Sequence, residues 1–130
     1  PMDPLQAAGY RYVMDWPMDA QPVWMRARGA RLLDIPYPSE VNDTRGVIWY
    51  HYTSDEFADL IVDQFDEMLE QSARHALVMN VSLHPYIFGQ PFRLRRLRSA
   101  LRHCLGRADV WYCRPGEIAA YCYSLGEEVT

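Results

Sequence analysis

The sequence predicts an α/β fold, and three observations carry that prediction. Short apolar segments at 10–14, 77–83 and 110–113 alternate with longer stretches whose apolar residues recur at helical spacing. The helical stretches start or stop on suitable residues: Thr53 as a cap, Pro91 in a first turn, Gly106 after a last turn. Strands alternating with helices imply parallel pairing through right-handed crossovers, in a small open sheet or a piece of a barrel.

The elements follow in order. Residues 3–8 read as the last turns of a helix that Gly9 stops. Residues 10–14, rich in aromatic and apolar side chains, form a strand that runs into Asp15-Trp16-Pro17, where proline ends regular pairing. Two apolar runs, 23–27 and 30–35, flank Arg28-Gly29 as a hairpin. Pro36-Tyr37-Pro38 forces an extended stretch, and Asn42-Asp43 reads as a turn. Thr53 and Glu56 then have capping-box spacing, and Phe57, Leu60, Ile61, Phe65, Met68 and Leu69 give the following helix one buried face. Residues 77–83 form the strongest strand signal, ending at His84-Pro85. A helix from Pro91 buries Phe92, Leu97, Ala100, Leu101, Cys104 and Leu105. Residues 110–113 read as a further strand and 115–123 as a last helix, with a flexible tail over 124–130.

Composition narrows the function. The 130 residues suffice for one domain with a modest core. A hydrophobic share of 49% with 23% charged residues is that of a soluble globular protein. A net charge of −4 gives a nucleic-acid partner no electrostatic support, and the basic run 93–98 reads as a solvated or partner-facing helix surface. Three widely spaced cysteines make neither a disulfide framework nor a Cys-x-x-Cys metal site, so a reducing cytoplasm is the expected compartment. No segment is long enough to span a membrane, and Pro1-Met2-Asp3-Pro4 does not read as a signal peptide.

In parallel α/β folds ligands bind at the C-terminal ends of strands. Asp15, with Asp19 behind it, follows the first strand, and His84 follows the 77–83 strand. A carboxylate and an imidazole on one face of a sheet suit acid/base chemistry. Each has a plainer reading: His84 as a loop residue bonded to backbone, Asp15 and Asp19 as turn stabilisers before Pro17 and Pro22. His51 reads as a packed or capping residue, and His75 and His103 as surface residues at helix ends. Trp16, Trp24, Phe88 and Phe92 fit either a substrate groove or the core. The sequence contains no Gly-rich phosphate loop, no Gly-x-Ser-x-Gly elbow and no helix-borne His pair for zinc.

Four stretches together resemble a known family. The segment Tyr10-Arg11-Tyr12-Val13-Met14-Asp15-Trp16-Pro17-Met18-Asp19-Ala20-Gln21-Pro22 resembles the late strand and acidic loop of the polysaccharide deacetylases. Ile35-Pro36-Tyr37-Pro38-Ser39-Glu40-Val41-Asn42-Asp43 is similar to the Pro-Tyr…Asn-Asp segment of that family's allantoinase-like and cyclic-imide-hydrolase branch. Ser82-Leu83-His84-Pro85 with Gly89-Gln90-Pro91-Phe92-Arg93 resembles the branch's final histidine motif. Val110-Trp111 with Glu117-Ile118-Ala119 matches its closing strand and helix. The Ser-Leu-His-Pro motif is weak taken singly, but four matches in the right order are fairly specific.

The resemblance implies the C-terminal half of a distorted (β/α) barrel, with alternating parallel strands and helices and an inserted hairpin, residues 1–130 forming one partial domain. It implies hydrolysis of non-peptide C–N bonds in a small amide, a ureide or an N-acetyl sugar. By resemblance His84 is the general acid that protonates the departing nitrogen. Asp15 is the carboxylate that favours its charged form, and Asp19, Trp16, Trp24 and Asn42 are candidate substrate-binding residues. Tyr12 stands where sugar deacetylases often carry a further aspartate, which favours the allantoinase-like branch; Ala20 stands where an acidic residue is common.

The family's paired aspartates, its His-x-x-x-His motif and its water-activating base match nothing in this sequence. The chain therefore offers no metal site of its own, and a divalent ion such as zinc is left open for a complete parent. Complete barrels run to about 250 residues, roughly twice this length. Half a barrel leaves open edges, so the missing N-terminal half or a second copy is the expected partner, and the lone chain is expected to be inactive. The competing readings are a non-catalytic half-barrel used in binding or assembly, and one subunit of a split sugar N-deacetylase.

Overall fold

The computed structural model describes residues 2–27 and 30–126, which group into two compact units. The first comprises residues up to 37 and from 111 onward; the second comprises residues 38–110.

The first unit holds a mixed three-stranded sheet. Helix α1 (Met2–Ala7) stops where Gly9 takes φ +86°, a left-handed conformation that glycine adopts without steric cost. Strands β1 (Tyr12–Val13), β2 (Val23–Ala27) and β3 (Ala30–Asp34) lie in the order β1-β3-β2. β3 is parallel to β1 and antiparallel to β2, with Leu33 opposite both Tyr12 and Trp24. As the central strand it buries Leu32, Leu33 and Asp34 in succession, the near-continuous burial of a strand covered on both faces. Helix α5 (Pro115–Ser124) begins on proline, with the Glu117 carboxylate accepting from the Arg114 N–H at 2.7 Å. Tyr123 ties this helix to the sheet by donating its hydroxyl to the Arg11 carbonyl at 2.9 Å.

The second unit is helical. A π-helical turn (Thr44–Trp49) follows Asp43, and His51, two residues beyond it, takes φ +60°. Helix α2 (Ser54–Gln71) has the expected capping box between Thr53 and Glu56 and buries Phe57, Ile61, Phe65 and Met68. One short turn, α3 (Pro85–Phe88), precedes α4 (Pro91–Cys104), whose Leu97, Ala100 and Cys104 pack in the same core. Arg96 bonds Asp55 and His103 bonds Asp66, in the same order along both helices, so α2 and α4 run parallel. These exposed pairs contribute at most about 1 kcal/mol each. Burying a ring such as Phe57 contributes about 1.5–3 kcal/mol, so apolar packing dominates.

Several expectations are corrected. The 77–83 segment is not a strand; among the described residues its one ladder contact is a parallel bridge between Ser82 and Asn42. Residues 110–113 likewise form no strand, and β1 is two residues rather than five. Apolar, β-branched sequence prepares a backbone for pairing, but a strand exists only where a neighbouring strand accepts its hydrogen bonds. The sheet is consequently mixed rather than built from parallel strands alternating with helices. Asn42-Asp43 leads into the π-helical turn, which the sequence reading had as a simple turn. The helices at 3–8, after Thr53, from Pro91 and at 115–123 are found within a residue or two, as is the 23–27/30–35 hairpin. Its turn at Arg28-Gly29 lies outside the described residues, as does most of the expected tail; Ser124 instead ends α5. Among the described residues, no helix is long and apolar enough to cross a membrane.

Gly46 shows how tightly the π-helical turn is packed. A Cβ there would stand 2.8 Å from the fully buried Phe57 ring and 3.2 Å from that of Tyr52. Gly46→Ala gains up to about 1 kcal/mol of helix propensity but overpacks a ring that cannot retreat. A net loss of about 1–2 kcal/mol is expected in urea unfolding. Unchanged stability would mean that Phe57 can yield.

Candidate active site

The site begins with backbone register. The Ser82 N–H donates to the Val41 carbonyl at 2.9 Å, and the Asp43 N–H donates to the Ser82 carbonyl at 3.0 Å. This bridge sets the segments 41–43 and 82–84 side by side. Asn42 closes its own turn by accepting from the Thr44 N–H through Oδ1 at 3.0 Å. His84 is extended at φ −112° and ψ 128°, and caps α3 with Pro85 in the first turn. A Cβ on Gly89 would overlap the Pro85 carbonyl, so the turn closes this tightly only on glycine.

The result is a carboxylate clamped on a histidine. Asp43 is fully buried. Its Oδ2 accepts from the His84 backbone N–H at 2.7 Å, and its Oδ1 lies 2.6 Å from Nδ1 of the ring. The Thr44 hydroxyl stands 3.1 Å from the same nitrogen. A carboxylate facing Nδ1 fixes the tautomer with Nδ1 as donor, leaving Nε2 to take up or deliver a proton. The ring is 37% exposed, and Nε2 has no hydrogen-bond partner among the described residues. Tyr86 is 67% exposed, with its ring centroid 5.4 Å from the imidazole. Ser82 adds one orphan: its buried Oγ has no partner among the described residues.

The carboxylate that holds the ring is Asp43, to which the sequence analysis assigns no such role; Asp15, the carboxylate expected to act with His84, lies in the first unit. The spacing of the sequence offered no sign of the Asp43–His84 pair, because its two residues are 41 positions apart and meet only through the 42/82 bridge. The signal in the sequence is the Asn-Asp pair of the Pro-Tyr…Asn-Asp segment, whose composition equally suits a turn.

Asp15 belongs to the first unit, where its N–H donates to Oδ1 of Asp34 at 3.3 Å. Asp34 is 3% exposed at the end of β3, and burial raises its carboxyl above the ordinary range. The N–H groups of Asp15 and Trp16 offset part of that rise, while the Asp15 charge adds to it. Asp34 thus organises the acidic turn, a role the sequence reading missed. Asp19 accepts from the Ala20 N–H at 2.6 Å. Trp16 is half exposed, and Trp24 packs edge-on to Tyr123 at 4.8 Å under the Arg31 guanidinium. Phe88 is core, against Phe57, whereas Phe92 is exposed. Among the described residues no three His, Cys, Asp or Glu side chains converge as metal ligands.

No family model matches the chain, and no curated protein matches it. Among solved structures it is similar to Puue allantoinase, at 25% identity and a TM-score of 0.85, over 94% of this chain and 41% of that one. It is also similar to a probable polysaccharide deacetylase from Pseudomonas aeruginosa PAO1, at 25% identity and a TM-score of 0.84, over 92% of this chain and 41% of that one. The fold class is thus α/β, matching part of the deacetylase and allantoinase fold. The particular likeness read from the sequence, to the deacetylases and their allantoinase-like branch, is borne out, and the chain spans about two fifths of those structures.

The raised carboxyl of Asp34 has a consequence for stability. The folded state binds its proton more tightly than the unfolded chain does. That contribution is fully present below the ordinary carboxylate pKa and is lost as pH rises through the folded value. At neutral pH the buried carboxylate therefore costs stability. Asp34→Asn keeps an oxygen for the Asp15 N–H and carries no charge. Its melting temperature relative to the parent chain is expected to rise between pH 4 and neutrality; parallel pH profiles would contradict this account.

Proposed function

We propose that this chain supplies the proton-donating histidine of a hydrolase acting on non-peptide C–N bonds, with His84 as general acid and Asp43 as its orienting group. The observation that carries the reading is the doubly bonded Asp43–His84 pair, with Nε2 on the exposed side of the ring. As the C–N bond breaks, the departing nitrogen takes the proton from Nε2, while Nδ1–H stays on the Asp43 carboxylate. The likeness to an allantoinase and a polysaccharide deacetylase supports the substrate class: a small amide, a ureide or an N-acetyl sugar. Asp15 and Asp19 are retained as candidates for substrate contact, with Trp16 and Trp24.

We further infer that the chain is the C-terminal half of a distorted (β/α) barrel. Its coverage of the two solved structures supports this, as does the 77–83 segment, which forms a single bridge among the described residues. Its partner is then the rest of the barrel, or a second copy in its place. Exposed Ile48, Trp49 and Tyr50 in the second unit, and Trp16, Met18 and Trp111 in the first, are apolar surface that such a partner would cover.

In the enzyme completed with its other half, His84→Ala is expected to lower kcat about 10²–10⁴-fold. Asp43→Asn is expected to lower it too, and to shift the His84 tautomer away from Nδ1–H in ¹⁵N NMR of this chain. Asp15→Asn leaves that tautomer in place. Undiminished turnover in the His84 variant removes the assignment.

The chain alone is expected to hydrolyse none of these substrates and to elute from gel filtration as an associated species. A well-folded, inert monomer would sink the open-barrel inference.

A further inference from the structure

Charge is sorted between the two packed helices of the second unit. Every charged side chain on α2 is a carboxylate, whereas α4 carries arginines, one histidine and no carboxylate. Neither helix gains from this by itself. Asp59 with Asp63, and Arg98 with Arg102, are like charges at i, i+4 and repel. Glu70 stands in the last turn of α2 and Arg93 in the first turn of α4, where the helix dipole favours the opposite sign. Solvation does not call for the sorting either, since mixed signs solvate a helix as well and pair along it. Contact between the two helices absorbs part of it, with Asp55 and Asp66 bonding Arg96 and His103 along the seam. Further round, Asp59, Asp63 and Glu70 form an exposed acidic stripe, and Arg95, Arg98 and Arg102 an exposed basic one. No side chain of either stripe has a hydrogen bond or ion pair among the described residues.

We propose that the outer faces of α2 and α4 are an interaction surface for a second copy of this chain, related by a two-fold axis parallel to the helices. A partner of one sign satisfies one stripe and repels the other; this chain presents both signs. Because α2 and α4 run parallel, that rotation lays α2 of each copy over α4 of the other, and the contact closes on itself. It also leaves height along the helices unchanged. The seam pairs fix those heights, with Asp55 level with Arg96 and Asp66 level with His103. Asp59 and Asp63 lie between the two levels, and so do Arg98 and Arg102. The acidic stripe of one copy therefore meets the basic stripe of the other in register. A contact made of exposed charges is weak and salt-sensitive. It stands apart from the reading of His84.

The test is sedimentation velocity of the 130-residue chain in sodium chloride. A dimer is expected at about 50 mM salt, with its dissociation constant raised about tenfold or more at about 500 mM. Two charge-swapped chains, Asp59→Lys with Asp63→Lys and Arg98→Glu with Arg102→Glu, are each expected to lose it. Their equimolar mixture regains it as a heterodimer, because each swapped stripe then faces its opposite. These positions are exposed, and circular dichroism verifies the fold of each variant. Association that persists at high salt and in both swapped chains belongs to the apolar surface of an open barrel and overturns this dimer alone. A monomeric parent chain at low salt, or a mixture that stays monomeric, also overturns it. So does retention on heparin without self-association, which assigns the α4 stripe to an anionic polymer.

Discussion

A carboxylate with no access to water must find its hydrogen bonds inside the protein, and Asp43 finds two of them in a single residue. One oxygen takes the His84 N–H and the other faces Nδ1. An unsatisfied buried charge costs several kcal/mol, so the segment carrying His84 is held where those donors are. The Ser82–Asn42 bridge and the Asp43 pairing are thus one device: the backbone sets the register, and the carboxylate locks it.

Behind this device stands one aromatic ring. Phe57, on the first turn of α2, packs against Gly46 in the turn that follows Asp43 and against Phe88 in the turn that follows His84. The two halves of the pair come from segments far apart in sequence, yet both rest on the same fully buried side chain. Helix α4 closes the core from the other side through Leu97 and Ala100. Packing energy from the α2–α4 pair therefore maintains a geometry that hydrogen bonds alone, at roughly 1 kcal/mol net apiece, would hold loosely. The π-helical turn suits the same purpose. Its wider backbone lets Thr44 approach the imidazole while Gly46 yields space to Phe57.

The legible parts of the sequence were those decided locally. Capping at Thr53–Glu56, the proline starts at 91 and 115 and the glycine stop at Gly9 depend on a few neighbouring residues, and they fell where expected. His84 was legible as a candidate because it follows an apolar run and precedes a proline. Its partner was not, since nothing in Asn42-Asp43 distinguishes a turn-forming aspartate from one that will be buried against a residue 41 positions on. Residues 77–83 misled for a related reason. Their composition is that of a strand, but pairing is a property of two segments, and among the described residues they form a single bridge, with the 41–43 segment.

The proposed chemistry divides unevenly between what this chain contains and what it lacks. Orienting a proton donor requires only a ring, a buried acceptor and a packed wall, and residues 42–89 hold all three within one compact unit. Activating water requires a base or a metal, and the described residues assemble no metal-ligand set. A donor built entirely from one unit keeps its tautomer whatever completes the cleft. Under the proposed half-barrel assembly, loss of the completing half abolishes turnover while leaving the Asp43–His84 geometry intact. In the proposed enzyme, activity is set by assembly and the acid is preorganised before assembly occurs.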